Sequence, residues 1–146
     1  MQRWTTETPL SLTIDVERAS RVDLEFLEVR QDTGSFTFYI FLNADELPAD
    51  AGRDHEAFAA GWTVFAQSDC WGDDDHCAWE RGPLHEFDRR PQHHLTPANI
   101  TVDVTDAVKR LGNPDELRVT IHAARIGDPE ADDVLRFREL VVLAYQ

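Results

Sequence analysis

The sequence predicts an all-β fold: an antiparallel β-sandwich of about seven strands, with one short crossover helix near 105–111 and a long loop at 68–97. Apolar and polar residues alternate in many short segments, and this period of two is typical of strands that bury one face. Turn-forming residues separate the segments at short intervals, as they do in sandwiches and barrels. A single stretch has the spacing of a helix.

The alternation begins near the N-terminus. Residues 10–16 place their leucine, isoleucine and valine side chains on one face. Within 22–29 the alternation changes phase between Phe26 and Leu27, which is typical of a β-bulge. Residues 35–43 are apolar on both faces, and this pattern predicts a strand in the middle of a sheet.

The pattern continues to the C-terminus. Four more strands are predicted, at 61–66, 99–104, 116–123 and 134–145. His122 shares the strand parity of Thr120, so we expect its side chain to face solvent. His55 looks isolated, as does His122.

The predicted helix rests on spacing and on its ends. Its apolar residues are Val104, Ala107, Val108 and Leu111. Thr105 is expected to cap the N-terminus of the helix. Gly112 stands where a terminating glycine belongs, and Pro114 follows it.

Length and charge limit the class of protein. The 146 residues are long enough to bury a core, and we expect one domain, 1–146. The formal net charge of −14 disfavours nucleic acid and anionic membranes as partners, because like charges repel. The first residues lack the apolar core of a signal peptide, and no apolar run has the length of a membrane span. These features predict a cytoplasmic location.

The predicted long loop has an unusual composition. Residues 69–94 hold both cysteines, four of the six histidines and three consecutive aspartates. We predict that Cys70, His76 and Cys77 are soft-metal ligands, because thiolate and imidazole together suit copper or zinc and thiolate favours Cu(I). The two cysteines are too far apart for the C-x₂-C pattern of structural zinc sites. Copper is therefore the predicted cofactor, with zinc as the alternative.

Three other histidines extend this hypothesis. His85, His93 and His94 are additional candidate ligands in the same loop, at irregular spacing. The competing interpretation is structural. A Cys70–Cys77 disulfide would close a small loop and bind no metal.

Catalytic motifs are missing from the sequence. It contains no G-x-S-x-G, no glycine-rich phosphate loop and no H-E-x-x-H. The predicted helix carries no histidine, whereas a dicopper centre requires histidine-rich helices. We therefore expect a binding or accessory protein rather than an enzyme.

The order of segments resembles a known family. The segments that carry the resemblance are FLN (Phe41–Asn43), GWTVF (Gly61–Phe65), EFDRR (Glu86–Arg90), ITVDVTDAVKRLG (Ile100–Gly112), ELRVTIHA and RFRELVVLAY. In this order they look like the C-terminal β domain that follows the dicopper domain in tyrosinases, polyphenol oxidases and molluscan hemocyanins. The resemblance covers about residues 22–145, and the dicopper domain itself is absent.

The resemblance implies a role and a partner. In that family the β-sandwich lies over the type-3 copper site of a neighbouring domain and shields it. In some fungal members a cysteine-containing loop of this domain is associated with copper loading. Cys70 and Cys77 occupy a loop in a similar place, although their spacing is wider.

The resulting hypothesis is a non-catalytic accessory or shielding module whose partner is a type-3 copper oxidase or a related protein. Its Cys/His-rich loop would assist copper loading. Two alternatives remain open. One is a stand-alone copper or zinc binding protein, and the other is a purely structural interaction domain with a Cys70–Cys77 disulfide.

Overall fold

A computed structural model describes residues 1–12, 19–30, 34–65, 86–87, 97–112 and 114–146. These ranges contain nine strands and one helix: β1 (Gln2–Thr5), β2 (Leu10–Ser11), β3 (Arg21–Val29), β4 (Phe36–Leu42), β5 (Phe58–Val64), β6 (Ala98–Asp103), α1 (Thr105–Arg110), β7 (Glu116–Leu117), β8 (Val119–Arg125) and β9 (Glu139–Tyr145). The predicted all-β antiparallel sandwich is confirmed. In the described ranges we find no helix of the length and apolarity that a membrane span requires.

The strands form two main sheets. A four-stranded sheet has the order β1-β8-β4-β5, and a three-stranded sheet has the order β6-β3-β9, with every pairing antiparallel. The short strands β2 and β7 pair separately. β1 is not among the predicted strands, because apolar and polar residues alternate only weakly along its four positions.

Aromatic contacts join the two sheets. Phe26 on β3 and Phe38 on β4 are fully buried, and their ring centroids lie 5.3 Å apart. Phe137 packs edge-on against Phe26 at 5.3 Å and against Trp4 at 5.0 Å. Such edge-to-face pairs are favourable because the positive edge of one ring meets the negative face of the other. The core therefore lies between the inner faces of the sheets.

The structure confirms two details of the predicted strands. β4 lies between β8 and β5, as its two apolar faces indicate. The pairing of β3 with β6 shifts register between Phe26 and Val29, at the predicted bulge. Glu28 lies in this bulge with a φ of 55°, and its backbone N–H donates to Asn99 Oδ1 at 3.1 Å.

The last predicted strand is shorter than expected. β9 begins at Glu139, and Leu140 is the buried residue at its start. The preceding backbone is held by a side chain instead of a strand, because Gln2 Oε1 accepts from the N–H groups of Val134 at 3.0 Å and Leu135 at 2.6 Å.

Helix α1 occurs where it is predicted, but the prediction for Thr105 is wrong. The N-cap residue is Val104, and it makes no side-chain capping bond. The Thr105 hydroxyl accepts from the Val22 N–H at 2.8 Å and donates to Asp103 Oδ1 at 2.5 Å, so it ties the helix to β3. Gly112 has a φ of 69°, which suits the predicted terminating glycine.

The sandwich has two distinct ends. At one end Val29 pairs with Ala98 and Phe36 pairs with Val64, while residues 30–35 alone link β3 to β4. We call this the loop end. The opposite end carries α1, whose Arg110 guanidinium donates to the Phe58 carbonyl at 2.9 Å. We call it the helix end.

Candidate functional site

All six predicted metal ligands lie outside the described residues. They are Cys70, His76, Cys77, His85, His93 and His94. The Cys70–Cys77 disulfide alternative falls on the same residues. Among the residues that the structure describes, no group of three or more His, Cys, Asp or Glu side chains could hold a metal ion. The metal site therefore stays a prediction.

The structure does locate the two anchors of the predicted loop 68–97. The chain leaves the four-stranded sheet after β5 and enters the three-stranded sheet at β6. Both positions belong to the loop end. β5 and β6, the described strands on either side of the predicted loop, are edge strands of their sheets.

Aromatic side chains are exposed on β5, directly after β5 and at Phe87 within the predicted loop. Trp62 on β5 is 45% exposed, and Phe65, directly after β5, is 81% exposed. Phe87 is 79% exposed. Exposed aromatic residues are common anchors of protein interfaces, because a large apolar area is removed from water on binding. These two exposed residues, Trp62 on β5 and Phe65 directly after it, are called the aromatic root below.

His122 contradicts the prediction from strand parity, because its side chain is only 1% exposed. It does lie on the outer face of the four-stranded sheet, opposite Arg3 on β1 and Tyr39 on β4. That face is covered, however, by residues 43–57, which we call the cover segment. Parity identifies a face correctly, but it cannot show that another segment covers this face.

The cover segment builds a second small core on the sheet. Leu47 and Ala51 from the segment pack with the fully buried Phe41 of β4. Tyr39 and Phe58 complete this cluster. The two apolar faces of β4 were the sequence signal for it, since a strand that is apolar on both sides needs cover on both sides.

The imidazole of His122 lies inside this cover without a polar partner. Its ring centroid is 5.2 Å from that of Phe41. Neither ring nitrogen has a hydrogen-bond partner among the described residues. Burial lowers the pKa of His122. The Ala51 backbone, as a weak hydrogen-bonding neighbour, raises it, and the charges of Arg3 and His55 lower it.

His55 approaches the same aromatic ring from the cover segment. Its centroid lies 5.8 Å from that of Phe41, nearly perpendicular to it, and its Nδ1 accepts from the Ala57 N–H at 3.2 Å. The two histidines that look isolated in the sequence therefore contact one phenylalanine. Sequence spacing alone could not reveal this, because the contact depends on how the cover segment folds back.

A polar cleft of about 460 Å³ lies at the helix end, between α1 and the cover segment. Its lining includes the carboxylates of Asp45, Glu46 and Glu56, the guanidinium of Arg110 and the imidazole of His55. Carboxylates outnumber the guanidinium, so the lining is acidic.

The chain is similar in fold to one segment of a polyphenol oxidase. One solved structure that matches nearly the whole chain is latent aurone synthase (polyphenol oxidase) from natural source, with a TM-score of 0.57 and 12% identity. Recombinantly expressed latent aurone synthase gives a TM-score of 0.54 and 11% identity, and its form co-crystallized with hexatungstotellurate(VI) gives 0.56 and 11%. No protein-family model matches the chain, and no curated protein matches it.

These matches cover nearly all of this chain but only a small part of the matched chains. Each covers 99% of this chain but only 24% of the aurone synthase chain. This chain therefore spans about a quarter of the length of the polyphenol oxidases that it matches. At 12% identity or less the likeness concerns the fold, and the functional residues of that enzyme are not transferred.

Proposed function

We propose that this chain is a non-catalytic accessory domain that binds a type-3 copper oxidase and covers the entrance to its dicopper site. The observation that carries the proposal is the extent of the structural match. The complete sandwich corresponds to about a quarter of a latent polyphenol oxidase, which is compatible with the C-terminal domain predicted from the order of the sequence segments. Such a domain has no dicopper centre of its own, so the chemistry belongs to the partner.

The loop end is the surface that suits this role best. The predicted loop 68–97 is anchored there, beside the aromatic root, and the chain as a whole carries a net charge of −14. Trp62 and Phe65 offer apolar anchors, and the surrounding charge favours a partner with a basic rim. Docking through this end leaves the helix end in solvent.

The test is a binding and inhibition experiment. A polyphenol oxidase is prepared without the quarter of its chain that matches this domain, loaded with copper and mixed with the purified domain. We expect a complex by analytical ultracentrifugation and slower diphenol oxidation. Absence of binding to a panel of such oxidases, or diphenol turnover by the copper-loaded domain alone, would contradict the proposal.

Two substitutions locate the interface. Phe65→Ser should weaken the complex, because its 81% exposed ring is the proposed anchor. Tyr145→Ser is the matched control, since Tyr145 is also exposed but pairs with Arg21, at the other end of β3 from Val29. Equal loss of binding in both variants would argue against docking at the loop end.

Copper handling by the loop is a second proposed function, favoured by the residue chemistry of Cys70, His76 and Cys77. Two thiolates and an imidazole are suited to Cu(I). Anaerobic Cu(I) titration of the reduced protein against a chromophoric chelator should show tight binding that the Cys70→Ser/Cys77→Ser double variant loses. Equal, weak binding by both proteins would exclude this function and leave the accessory role unaffected.

His85, His93 and His94 are proposed to assist as exchangeable ligands. Replacing the three histidines by glutamine should speed the transfer of Cu(I) to the chelator without removing the tight site. A disulfide between Cys70 and Cys77 would instead appear as the absence of reactive thiols before reduction.

A further inference from the structure

The cover segment is held to the sheet mainly by apolar contacts. Leu47 and Ala51 pack on Phe41, and all three are buried. Among the described residues, a hydrogen bond links the segment to the edge strand β1: Arg3 Nη1 donates to the Leu47 carbonyl at 3.3 Å. Hydrogen bonds inside the segment, such as Ala51 N–H to the Pro48 carbonyl at 3.1 Å, do not bind it to the sheet.

The two ends of the segment are fixed more firmly. At the start, Asn43 Oδ1 accepts from the Arg118 N–H at 2.7 Å, and its amide group donates to the Glu116 carbonyl at 3.2 Å. At the finish, the Ala57 carbonyl accepts from the Leu42 N–H at 3.0 Å. These bonds would hold both ends of the segment in place if its middle left the sheet.

The buried group beneath the segment is His122. An imidazolium has two N–H donors that require acceptors, yet neither ring nitrogen is hydrogen-bonded among the described residues. A buried charge without a partner is strongly unfavourable. The backbone of Ala51 in the cover segment raises the pKa of His122, but burial outweighs it, so the closed arrangement favours the neutral imidazole.

The charges that face His122 make protonation still less favourable. Arg3 lies opposite on β1, and His55 reaches the same phenylalanine from the cover segment. On β4 the opposite residue is Tyr39, with the Arg53 guanidinium 5.5 Å from the centroid of its ring. The arginines among these neighbours are cations, and His55 is a cation when it is protonated.

Carboxylates do occur on the cover segment, but they point to water. They are Asp45, Glu46, Asp50, Asp54 and Glu56, and all five are exposed. None of them hydrogen-bonds to the imidazole. The segment therefore offers no counter-ion to a protonated His122.

We propose that the cover segment is an acid-released lid: protonation of His122 detaches residues 43–57 from the outer face of the four-stranded sheet and uncovers the aromatic surface of Tyr39, Phe41 and Phe58. The direction follows from linkage. The pKa of His122 is lowered in the closed form, so the open form binds the proton more tightly. Closure is complete above the ordinary pKa of histidine, and it weakens as the pH falls from there through the lowered pKa.

Hydrogen exchange measured by mass spectrometry tests the lid, with rates corrected for the intrinsic pH dependence of exchange. Between the two pKa values the opening equilibrium should rise about tenfold per pH unit, so protection of residues 43–57 should fall between pH 7.5 and pH 5. Amides of β4 and β8 should keep their protection. A uniform loss across the chain would overturn the lid, because His122 would then act on global unfolding.

Variants separate His122 from other groups. His122→Leu should abolish the pH dependence of protection in the segment, whereas His55→Gln, the matched control, should retain it. Equal pH dependence in wild type and His122→Leu would overturn the proposal. If His122→Leu does not fold, an NMR titration of the His122 ring in the wild type tests the lid instead. A pKa at or above the ordinary value of histidine would refute the lid.

Discussion

Gly61 is a position where the space for one added methyl group is already occupied. It lies opposite Tyr39 in the β4–β5 pair. A Cβ atom at this position would lie 2.9 Å from Tyr39 Cδ1 and 3.2 Å from Cε1. The first distance is shorter than real Cβ contacts allow, so the tyrosine ring would have to move.

The tyrosine ring has little freedom to move. The Phe58 ring packs edge-on against it at 6.0 Å, and the Arg53 guanidinium lies 5.5 Å from its centroid. Overpacking of this kind costs about 1–3 kcal/mol. The lower entropy of alanine in the unfolded chain offsets about 0.5–1 kcal/mol. On balance we expect Gly61→Ala to lower the free energy of unfolding by about 1 kcal/mol.

Urea denaturation followed by tryptophan fluorescence measures this change. Gly52→Ala is the matched control, because a Cβ at Gly52 meets no atom within 4 Å and its φ is not positive. We expect the control to stay within about 0.5 kcal/mol of wild type. In a Tyr39→Leu background, Gly61→Ala should cost less. A Gly61→Ala protein as stable as the control would refute the reasoning.

Three further substitutions test local contacts. Asn43→Ala should lower the free energy of unfolding by about 1–2 kcal/mol, because it removes two hydrogen bonds to the backbone and keeps a φ of 50° that alanine disfavours. Asn43→Gly should recover part of the loss in the same urea assay. Thr105→Val should lower the free energy of unfolding by about 1–3 kcal/mol, because it leaves the buried Val22 N–H without its acceptor. It should also raise the pKa of Asp103, which hydrogen bonds from Thr105 lower. An unchanged NMR titration of Asp103 would contradict this. Since that lowered pKa contributes stability that is lost as the pH falls through it, the variant should lose less of its stability in acid. Gly112→Ala should cost about 1 kcal/mol from its φ of 69° alone, because no atom lies within 4 Å of the added methyl group.

Periodicity predicted the architecture well because it depends on which faces are buried. The two apolar faces of β4, the phase change in β3 and the glycine after α1 all matched the structure. Each of these signals is local, and each has one simple structural cause.

The failures come from contacts between distant segments. His122 is buried because the cover segment folds over its face, and Thr105 bonds β3 instead of capping α1. The residues before β9 are held by Gln2, from the other end of the chain. No local pattern encodes such contacts. The candidate metal ligands rest on residue chemistry alone, since they lie outside the described residues.

The pairing of β3 with β9 also has a consequence for how the domain folds. β3, the middle strand of its sheet, pairs with residues more than a hundred positions later, and β1 does the same with β8. Loop closure over such distances is entropically costly, so folding is expected to be slow for the size of the chain. During synthesis one edge of β3 stays unpaired until β9 has been made. In that interval a chaperone or a second nascent chain can bind this edge.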